Sequence, residues 1–346
     1  MTPDIFQNKI LQWFDVNGRN NLPWQQDSSP YKTWLSEVML QQTQVVTVIP
    51  YFNKFIDHFS DINQLADAPI DQVLQLWSGL GYYARARNLH KTAKIISSQD
   101  GQFPNDLEAL VALPGIGRST AGAILSIAFN NSHPILDGNV KRVLARFHAV
   151  VGWPGTSAVN NRLWGISALY TPNKRCADYT QAMMDLGATL CTRSKPRCEI
   201  CPINLHCLAK SENKVSELPT RRPKKELPVK QLFFLILQDE QGQILLQKRP
   251  DIGIWGGLWS LLEFESLALI DDWCLQNNFV SKSTIQFDVK RHTFSHYHLD
   301  YTAVLIKTEN PINNVMEGNQ TVWYKSEQIN LVGLPAPIKK LLHNLN

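Results

Sequence analysis

The sequence predicts a two-domain protein whose first part is all-α and whose second part is α+β. A chain of 346 residues with 44% hydrophobic side chains has enough apolar material for two separate cores, and the usual domain size favours two over one. As far as about Ala209, apolar residues recur three and four positions apart, as in Trp34 and Val38, which is the helical period. Beyond about Val229 the apolar runs become short and strand-like.

A polar stretch separates the two parts. It contains three prolines between positions 219 and 228, and this composition suits an extended connection. We therefore expect a helical domain over residues 1–215, a linker over 216–230 and an α+β domain over 231–346.

Proline and glycine signals divide each part into elements. Leu22-Pro23, Ala68-Pro69 and Phe103-Pro104 break the first part into helices of ordinary length. In the second part, residues 231–238 and 244–247 are strand-like runs on either side of the turn signal Asp239-Glu240-Gln241-Gly242. This pattern predicts a β-hairpin.

The two parts differ in the sign of their charge. Residues 1–225 hold 24 Lys and Arg against 17 Asp and Glu, a net charge of +7, whereas residues 226–346 hold 10 against 13, a net charge of −3. A polyanion would therefore bind mainly to the first part. Many basic proteins bind no nucleic acid, so this charge permits a nucleic-acid partner without requiring one.

No segment of the sequence predicts a membrane span or an export signal. The apolar runs are all well short of the roughly 20 residues that cross a bilayer, and the first ten residues include Asp4 among few apolar side chains. We expect a cytoplasmic protein that does not bind membranes.

Four of the six cysteines fall within 17 residues, with six, two and five residues between successive members. They are Cys191, Cys198, Cys201 and Cys207. In a chain without an export signal, such clustering indicates a metal site before disulfides. The spacing alone does not choose between zinc and an iron-sulfur cluster, because both accept four thiolates.

Arg193, Lys195 and Arg197 lie between the first two of these cysteines. Charged runs are usually solvated surface. A loop held by a metal site at both ends, however, presents its cations in fixed positions, so we favour contacts with DNA phosphates.

Three further patterns in the first part have both an ordinary and a functional interpretation. The run Leu113-Pro114-Gly115-Ile116-Gly117 could be a helix-helix turn, or Gly115 and Gly117 could bring backbone amides to a phosphate. Asp137 could simply cap the following helix or place a carboxylate in a functional site. Glu37, on a helix among apolar neighbours, could be a surface residue or a buried acid with a raised pKa.

Taken together, these motifs resemble a known group of proteins. Residues 113–124 resemble the hairpin of the helix-hairpin-helix DNA glycosylase superfamily, and Ser36-Glu37-Val38-Met39-Leu40-Gln41-Gln42-Thr43 resembles the MutY family of adenine DNA glycosylases within it. The resemblance implies that Glu37 protonates the departing adenine and that Asp137, supported by Asn139, stabilises the sugar cation. It also implies that the cysteines hold one 4Fe-4S cluster.

Several further roles follow from the resemblance. Members that also cut the strand carry a lysine at the position of Ser119, so this chain is expected to hydrolyse the glycosidic bond without strand cleavage. Gln42 and Tyr82 match positions that wedge into the base stack, although Tyr82 could instead be a core aromatic. Trp24 and Gln181 match the adenine pocket.

The second part resembles the Nudix-like domain of the same family. Gly257 and Glu263 reproduce the start of a Nudix box, but the residues after them lack the acidic pairs that hold catalytic magnesium. We therefore expect recognition and no pyrophosphatase activity. Arg291-His292-Thr293-Phe294-Ser295-His296 carries the family signature for reading 8-oxoguanine, with Ser295 and His296 as hydrogen-bonding groups and Phe294 as packing support.

The sequence thus predicts a monomeric, nucleoid-associated enzyme that acts on double-stranded DNA with adenine opposite 8-oxoguanine or guanine. Three alternatives are a related glycosylase with another target base, a noncatalytic DNA-binding protein and a nucleotide pyrophosphatase. Ser119 and the second domain argue against the first, the presence of both Glu37 and Asp137 against the second, and the incomplete Nudix box against the third.

Overall fold

The computed structural model describes residues 1–223, 226–308, 321–325 and 332–345. The chain divides into two compact units. One is formed by Met1–Asp67 with Asn88–Lys224, and the other by Ala68–Arg87 with Lys225–Asn346. The first unit is helical and the second contains a β-sheet with helices, which confirms the predicted order of an all-α part followed by an α+β part.

The helical region contains helices of four to fifteen residues. In chain order they are α1 (Pro3–Asn17), α2 (Pro30–Leu40), α3 (Val45–His58), α4 (Ile62–Asp67), α5 (Ile70–Leu76), α6 (Ala84–Ser97), α7 (Leu107–Ala112), α8 (Arg118–Phe129), α9 (Gly138–Phe147), α10 (Ser157–Tyr170), α11 (Cys176–Asp185) and α12 (Leu208–Ser211). In the described residues, no helix combines the length and the apolar character that a membrane crossing requires.

Polar side chains fix the starts of several helices. Ser29 accepts the backbone N–H of Lys32 at the start of α2, and Asp106 accepts that of Ala109 at the start of α7. These bonds satisfy amides that the first helical turn leaves without partners. The sequence therefore defines where these helices begin.

Helix α8 lies at the centre of the first unit, where it packs against α2 and α11. Its residues from Ala121 to Ser126 are buried. A Cβ at Gly122 would lie only 2.6 Å from the carbonyl oxygen of Pro134, so the segment that leads into α9 runs directly against the backbone of α8. This close approach places the start of α9 beside the start of α8.

The second unit contains one mixed sheet. Its strands are β1 (Val229–Gln238), β2 (Gln243–Lys248), β3 (Trp259–Ser260), β4 (Leu262–Phe264), β5 (Ser281–Gln286), β6 (Lys290–Thr293), β7 (His298–Thr308) and β8 (Thr321–Lys325), with α13 (Leu267–Gln276) and α14 (Ala336–His343) as helices. The main order is β3-β2-β1-β7-β5, and β1 and β7 run parallel. Gln238 of β1 pairs with Ile244 of β2 in antiparallel register, which confirms the predicted hairpin.

Both faces of this sheet are covered. Phe234 and Ile236 of β1 belong to a buried cluster that includes Ile338 of α14, whereas Leu235 and Leu237 belong to one that includes Ile270 of α13. The side chains of a strand alternate between the two faces, so the continuous apolar run in β1 is the pattern expected of a central strand.

One segment packs differently from the sequence expectation of a helical domain over residues 1–215. Residues Ala68–Arg87, which include α5, form part of the second unit. The ammonium group of Lys248 lies 2.8 Å from the Asp71 carboxylate, and the Tyr83 hydroxyl donates to the Leu334 carbonyl oxygen at 3.2 Å. These contacts join residues far apart in the sequence, so the pattern along the chain gave no signal for them.

Candidate active site

A cleft of 820 Å³ opens in the helical unit. The ends of α2, α8, α9 and α11 all reach it. Eight of the residues singled out from the sequence line this one cleft, namely Trp24, Glu37, Gln42, Ser119, Asp137, Asn139, Gln181 and Arg193. Residues from six separate segments of the chain therefore converge on one place.

Asp137 precedes α9 and caps it. Its Oδ1 accepts the backbone N–H of Val140 at 2.8 Å, so the ordinary interpretation of this residue is confirmed. The same carboxylate faces the cleft. Burial raises its pKa, and hydrogen bonds from the backbone N–H groups of Val140 and Asn139 act in the opposite direction.

Glu37 lies in the last turn of α2 and faces the same cleft. Burial raises the pKa of this carboxyl to about 8, and the nearby negative charge of Asp137 adds to the rise. Glu37 is therefore largely protonated at neutral pH. A cleft that pairs a proton donor with a second carboxylate has the groups needed to break a glycosidic bond.

Ser119 connects the two helices on which the site depends. Its Oγ accepts the backbone N–H of Leu136 at 2.9 Å, which ties the first turn of α8 to the residue just before Asp137. The Ser119 hydroxyl thus fixes the backbone that leads to Asp137.

Asn139 is held by Arg142 one turn further along α9. The Arg142 Nη2 donates to Asn139 Oδ1 at 2.8 Å and to the Gly187 carbonyl oxygen at 2.8 Å. Its Nε donates to the Cys191 carbonyl oxygen at 2.6 Å. The start of α9 and the beginning of the cysteine loop therefore share one guanidinium group.

Trp24 and Gln181 lie together with Glu37. All three line both the large cleft and an adjoining cavity of 250 Å³. The indole of Trp24 packs edge-on against Phe52, with ring centroids 5.4 Å apart. The structure thus brings the two residues of the predicted adenine pocket next to the predicted acid.

Asp185 is a residue that the sequence analysis missed. It is fully buried and accepts hydrogen bonds from Gln181 Nε2 at 2.8 Å and from Arg19 Nε at 2.9 Å. The only signal in the sequence is one acidic residue within the apolar stretch Met183-Met184-Asp185-Leu186, on a helix that also carries Gln181. Asp185 orients the amide of Gln181 toward the cleft.

The glycines of the predicted hairpin join α7 to α8. Gly115 has a φ of +78°, and a Cβ there would lie 2.8 Å from the Cβ of Asn88. Gly117 caps α8, and no heavy atom lies within 4 Å of the Cβ position there. Both glycines are exposed, so the turn that leads into α8 lies at the surface of the unit.

The two predicted wedge residues share an unusual backbone conformation. Gln42 and Tyr82 have φ values of 58° and 48°, a left-handed conformation that is uncommon outside glycine. Both side chains are exposed. Tyr82 is 53% exposed, so the alternative of a core aromatic is wrong. Gln42 belongs to the first unit and Tyr82 to the second.

The four clustered cysteines line a single cavity whose other walls are mainly apolar. Arg146 Nη1 donates to the sulfur of Cys191 at 3.3 Å, which places a cation beside a group that binds metal as a thiolate. Within the described residues, no three His, Cys, Asp or Glu side chains form a group that could hold a single metal ion. Four thiols that line one cavity supply the donor atoms that both zinc and an iron-sulfur cluster accept.

The basic side chains of the cysteine loop point outward. Arg193, Lys195 and Arg197 are all exposed. Arg193 also lines the cleft, whereas Lys195 lines a neighbouring groove of 610 Å³. The Arg197 Nη2 donates to the Thr189 carbonyl oxygen at 2.9 Å. The loop thus presents positive charge both at the cleft and beside it.

In the second unit, Phe294, Ser295 and His296 form the turn between β6 and β7. Thr293 pairs with His298 across the hairpin, and the backbone N–H of Phe294 donates to the Tyr297 carbonyl oxygen at 2.9 Å. Ser295 and His296 are exposed at the tip. We call residues 294–297 the reading turn.

The start of the Nudix box carries no free acid. The Glu263 carboxylate forms an ion pair with the guanidinium group of Arg249, so its charge is already neutralised. Gly257 has a φ of +75°. The ion pair thus connects β4, which carries Glu263, to the loop between β2 and β3, which carries Arg249 and Gly257.

Comparisons with known proteins agree with this architecture. Residues 35–168 match the model described as HhH-GPD superfamily base excision DNA repair protein, and residues 233–344 match the NUDIX domain model. A solved thermostable thymine-DNA glycosylase is 25% identical and aligns over 61% of this chain and 97% of its own, with a TM-score of 0.54. An endonuclease III in a non-covalent complex with DNA is 20% identical over 62% of this chain and 98% of its own, with a TM-score of 0.52. The fold of the helical part is thus that of the helix-hairpin-helix base excision repair proteins.

Relatives over the full chain narrow the class further. The adenine DNA glycosylase of Buchnera aphidicola subsp. Baizongia pistaciae (strain Bp) is 42% identical over 99% of this chain and 97% of that protein. The human adenine DNA glycosylase is 31% identical over 97% of this chain and 73% of that protein. The chain belongs to the adenine DNA glycosylase family and is an enzyme of base excision repair.

Proposed function

We propose that the enzyme excises adenine paired with 8-oxoguanine or guanine by hydrolysis and leaves an abasic site. The observation that carries this proposal is the pair of carboxyl groups in one cleft, with Glu37 at a pKa of about 8 and Asp137 held at the start of α9. The Glu37 carboxyl can donate a proton at neutral pH, and the Asp137 carboxylate can stabilise a positive charge.

The proposed reaction uses both groups in turn. Glu37 donates its proton to a ring nitrogen of the extruded adenine, and the electrons of the C1′–N9 bond leave with the base. The carboxylate of Asp137 stabilises the positive charge that develops on the sugar. Water then bonds to C1′, and its released proton returns to Glu37.

Adenine selectivity would come from the pocket beside Glu37. Trp24 supplies an aromatic wall, and Gln181 donates one amide N–H to Asp185. The carbonyl oxygen of Gln181 is then available to accept a hydrogen bond from an amino group of the base. This arrangement suits adenine.

Hydrolysis without strand cleavage is supported by the side chains around the cleft. Among the described residues that line it there is no lysine, and the position where a nucleophilic amine would stand is Ser119. A Schiff base needs such an amine. We expect no covalent adduct when the enzyme reacts with substrate duplex in the presence of borohydride; an adduct in good yield would overturn this part of the proposal.

Recognition of the opposite base is proposed for the reading turn. The Ser295 hydroxyl and the His296 imidazole are exposed and can both donate and accept hydrogen bonds. Gly115 and Gly117, the wedge residues Gln42 and Tyr82, and the basic cysteine loop would contact the backbone and the base stack. Because one chain supplies the whole cleft, we propose that a monomer binds the duplex.

One 4Fe-4S cluster is proposed for Cys191, Cys198, Cys201 and Cys207, which line one cavity. The four thiolates would hold the cluster, and the loop between Cys191 and Cys198, which carries Arg193, Lys195 and Arg197, would then be fixed at both ends. Metal analysis of the purified enzyme should give about four iron atoms per chain. One zinc per chain and no iron would refute the cluster.

The substrate proposal is tested by single-turnover adenine release. Duplexes carry adenine opposite 8-oxoguanine, guanine or thymine, and the enzymes are the wild type and Glu37→Gln. We expect release from the first two duplexes only, and a loss on the order of 10²- to 10⁴-fold in the variant. Glu108→Gln is a matched control that should keep the wild-type rate, because Glu108 is exposed on α7 and lies outside the cleft and its adjoining cavity. Equal activity of Glu37→Gln and wild type would remove Glu37 from its role.

A further inference from the structure

The segment that carries Tyr82 belongs to the second unit and is held rigidly there. The Trp77 Nε1 donates to the Gly81 carbonyl oxygen at 3.0 Å. The guanidinium group of Arg85 lies over the rings of Trp77 and Tyr82, 5.3 Å and 5.6 Å from their centroids. Tyr82 is therefore presented by a braced loop, although its ring is exposed.

Arg87 links this loop to another. Its Nη1 donates to the carbonyl oxygen of Gly256, and the aliphatic part of the side chain lies 3.6 Å from the Cβ position of Gly257. Arg87 follows Tyr82 by five residues, in the first turn of α6. The contact therefore connects the base of the Tyr82 loop to residues 249–258.

Residues 249–258 form a closed loop with little freedom. The backbone N–H of Arg249 donates to the Leu258 carbonyl oxygen at 2.9 Å, and that of Gly257 donates to the Pro250 carbonyl oxygen at 3.1 Å. Arg249 Nε also donates to the Ile254 carbonyl oxygen at 3.1 Å. Gly256, which accepts from Arg87, is thus the direct neighbour of Trp255 within a hydrogen-bonded loop.

Trp255 in turn contacts the reading turn. Its ring centroid lies 5.3 Å from that of Phe294 and 5.8 Å from that of His292. Phe294 also packs against Tyr297, with centroids 4.8 Å apart. The aromatic cluster therefore anchors the backbone from which Ser295 and His296 project.

We propose that Arg87 is a positioning residue that couples the Tyr82 wedge to the reading turn through Gly256, Trp255 and Phe294. Insertion of Tyr82 beside the lesion and hydrogen bonding by Ser295 then stabilise one another, because one rigid path holds both. The inference rests on the proposed recognition of 8-oxoguanine. It assigns to Arg87 an effect on the choice of opposite base, although Arg87 does not touch that base.

The test measures the coupling between Tyr82→Leu and Ser295→Ala with the full-length enzyme. The readout is the dissociation constant for a duplex that carries an uncleavable adenosine analogue opposite 8-oxoguanine or guanine. In the wild-type background, the loss of affinity in the double variant should be smaller than the product of the two single losses by at least about threefold, the size of effect typical of coupled sites. In the Arg87→Met background, the loss of affinity in the double variant should equal the product of the two single losses.

Two further variants make the result specific. Lys248→Met removes another contact of the same segment, the ion pair with Asp71, but leaves the Arg87 path intact, so the coupling should persist. Trp255→Leu removes the aromatic contact with Phe294 and should also abolish the coupling. This variant tests the same path if Arg87→Met does not fold. Arg87→Lys, which keeps a donor, should retain more coupling than Arg87→Met.

The outcomes separate the two levels of the proposal. Equal binding of the 8-oxoguanine and guanine duplexes by the wild type would refute the proposed recognition itself. A preference for 8-oxoguanine with undiminished coupling in both Arg87→Met and Trp255→Leu would overturn the role of Arg87 and leave the recognition intact.

Discussion

The cleft of the first unit and the reading turn of the second differ in how far their polar side chains are exposed to solvent. Glu37 and Asp137 lie where burial raises the pKa of both carboxyl groups, and each stands at the end of a helix that fixes its position. Ser295 and His296 stand exposed at the tip of a hairpin. Groups that act on a reacting bond work best when they are desolvated and fixed in place, whereas the contact with a base that we propose for Ser295 and His296 needs side chains that reach outward.

The comparison predicts that changes in the cleft have far larger effects than changes in the turn. Apart from Glu37→Gln, the largest effect should come from Asp137→Asn. Asparagine caps a helix about as well as aspartate, so the start of α9 should survive while the negative charge is lost. We expect adenine release to slow on the order of 10²- to 10³-fold, with little change in the melting temperature.

A matched control for this variant is Asp106→Asn. Asp106 caps α7 through Ala109 with the same 2.8 Å bond but lies outside the cleft, so its loss should leave single-turnover rates unchanged. If Asp137→Asn kept the wild-type rate, or lost activity only in step with its melting temperature, Asp137 would be a cap and nothing more.

An intermediate effect is expected from pH. Glu37 acts in its protonated form, so the single-turnover rate should fall as pH rises through about 8, approaching tenfold per unit above that value. Toward acid pH the rate should fall again, because Asp137 must be ionised and burial raises its pKa. Glu37→Gln should lack the alkaline limb, and a wild-type rate that stays level up to pH about 10 would contradict the assignment.

The smallest effect should come from Ser295→Ala. Loss of one exposed hydrogen bond should reduce the preference for adenine opposite 8-oxoguanine over guanine by about tenfold or less, with the rate on the guanine duplex unchanged. Ser283→Ala, which alters an exposed serine of β5, provides the control. A comparable loss on both duplexes would show that the turn supports binding in general and does not read the base.

The same contrast explains what the sequence predicted and what it did not. The cleft residues lie in short motifs such as residues 36–43 and 113–124, where the spacing along the chain carries the information. Asp137 caps α9 and also lines the cleft, so the proposed role beside the sugar is compatible with the cap. The contact between Arg87 and Gly256 joins residues 169 positions apart, and neither residue stands out locally. No pattern of period two or 3.6 can report such a contact.

Residues Ala68–Arg87 illustrate the same limit at the level of a whole segment. Their helical pattern was read correctly, since α5 spans Ile70–Leu76, but helical period does not say which core a helix joins. Asp185 was missed for a related reason. A single acidic residue in an apolar helix becomes informative only when its partners Arg19 and Gln181 are seen around it.

The bond between the Ser119 hydroxyl and the Leu136 amide bears on how hydrolysing and strand-cutting enzymes are related. A lysine at position 119 would supply the missing amine, yet it would also remove the oxygen that secures the residue before Asp137. A lysine at position 119 would thus add a nucleophilic amine and remove the hydrogen bond that fixes the backbone before Asp137. The side chain at position 119 therefore has two consequences at once: it offers no amine, and it secures the backbone that leads to Asp137.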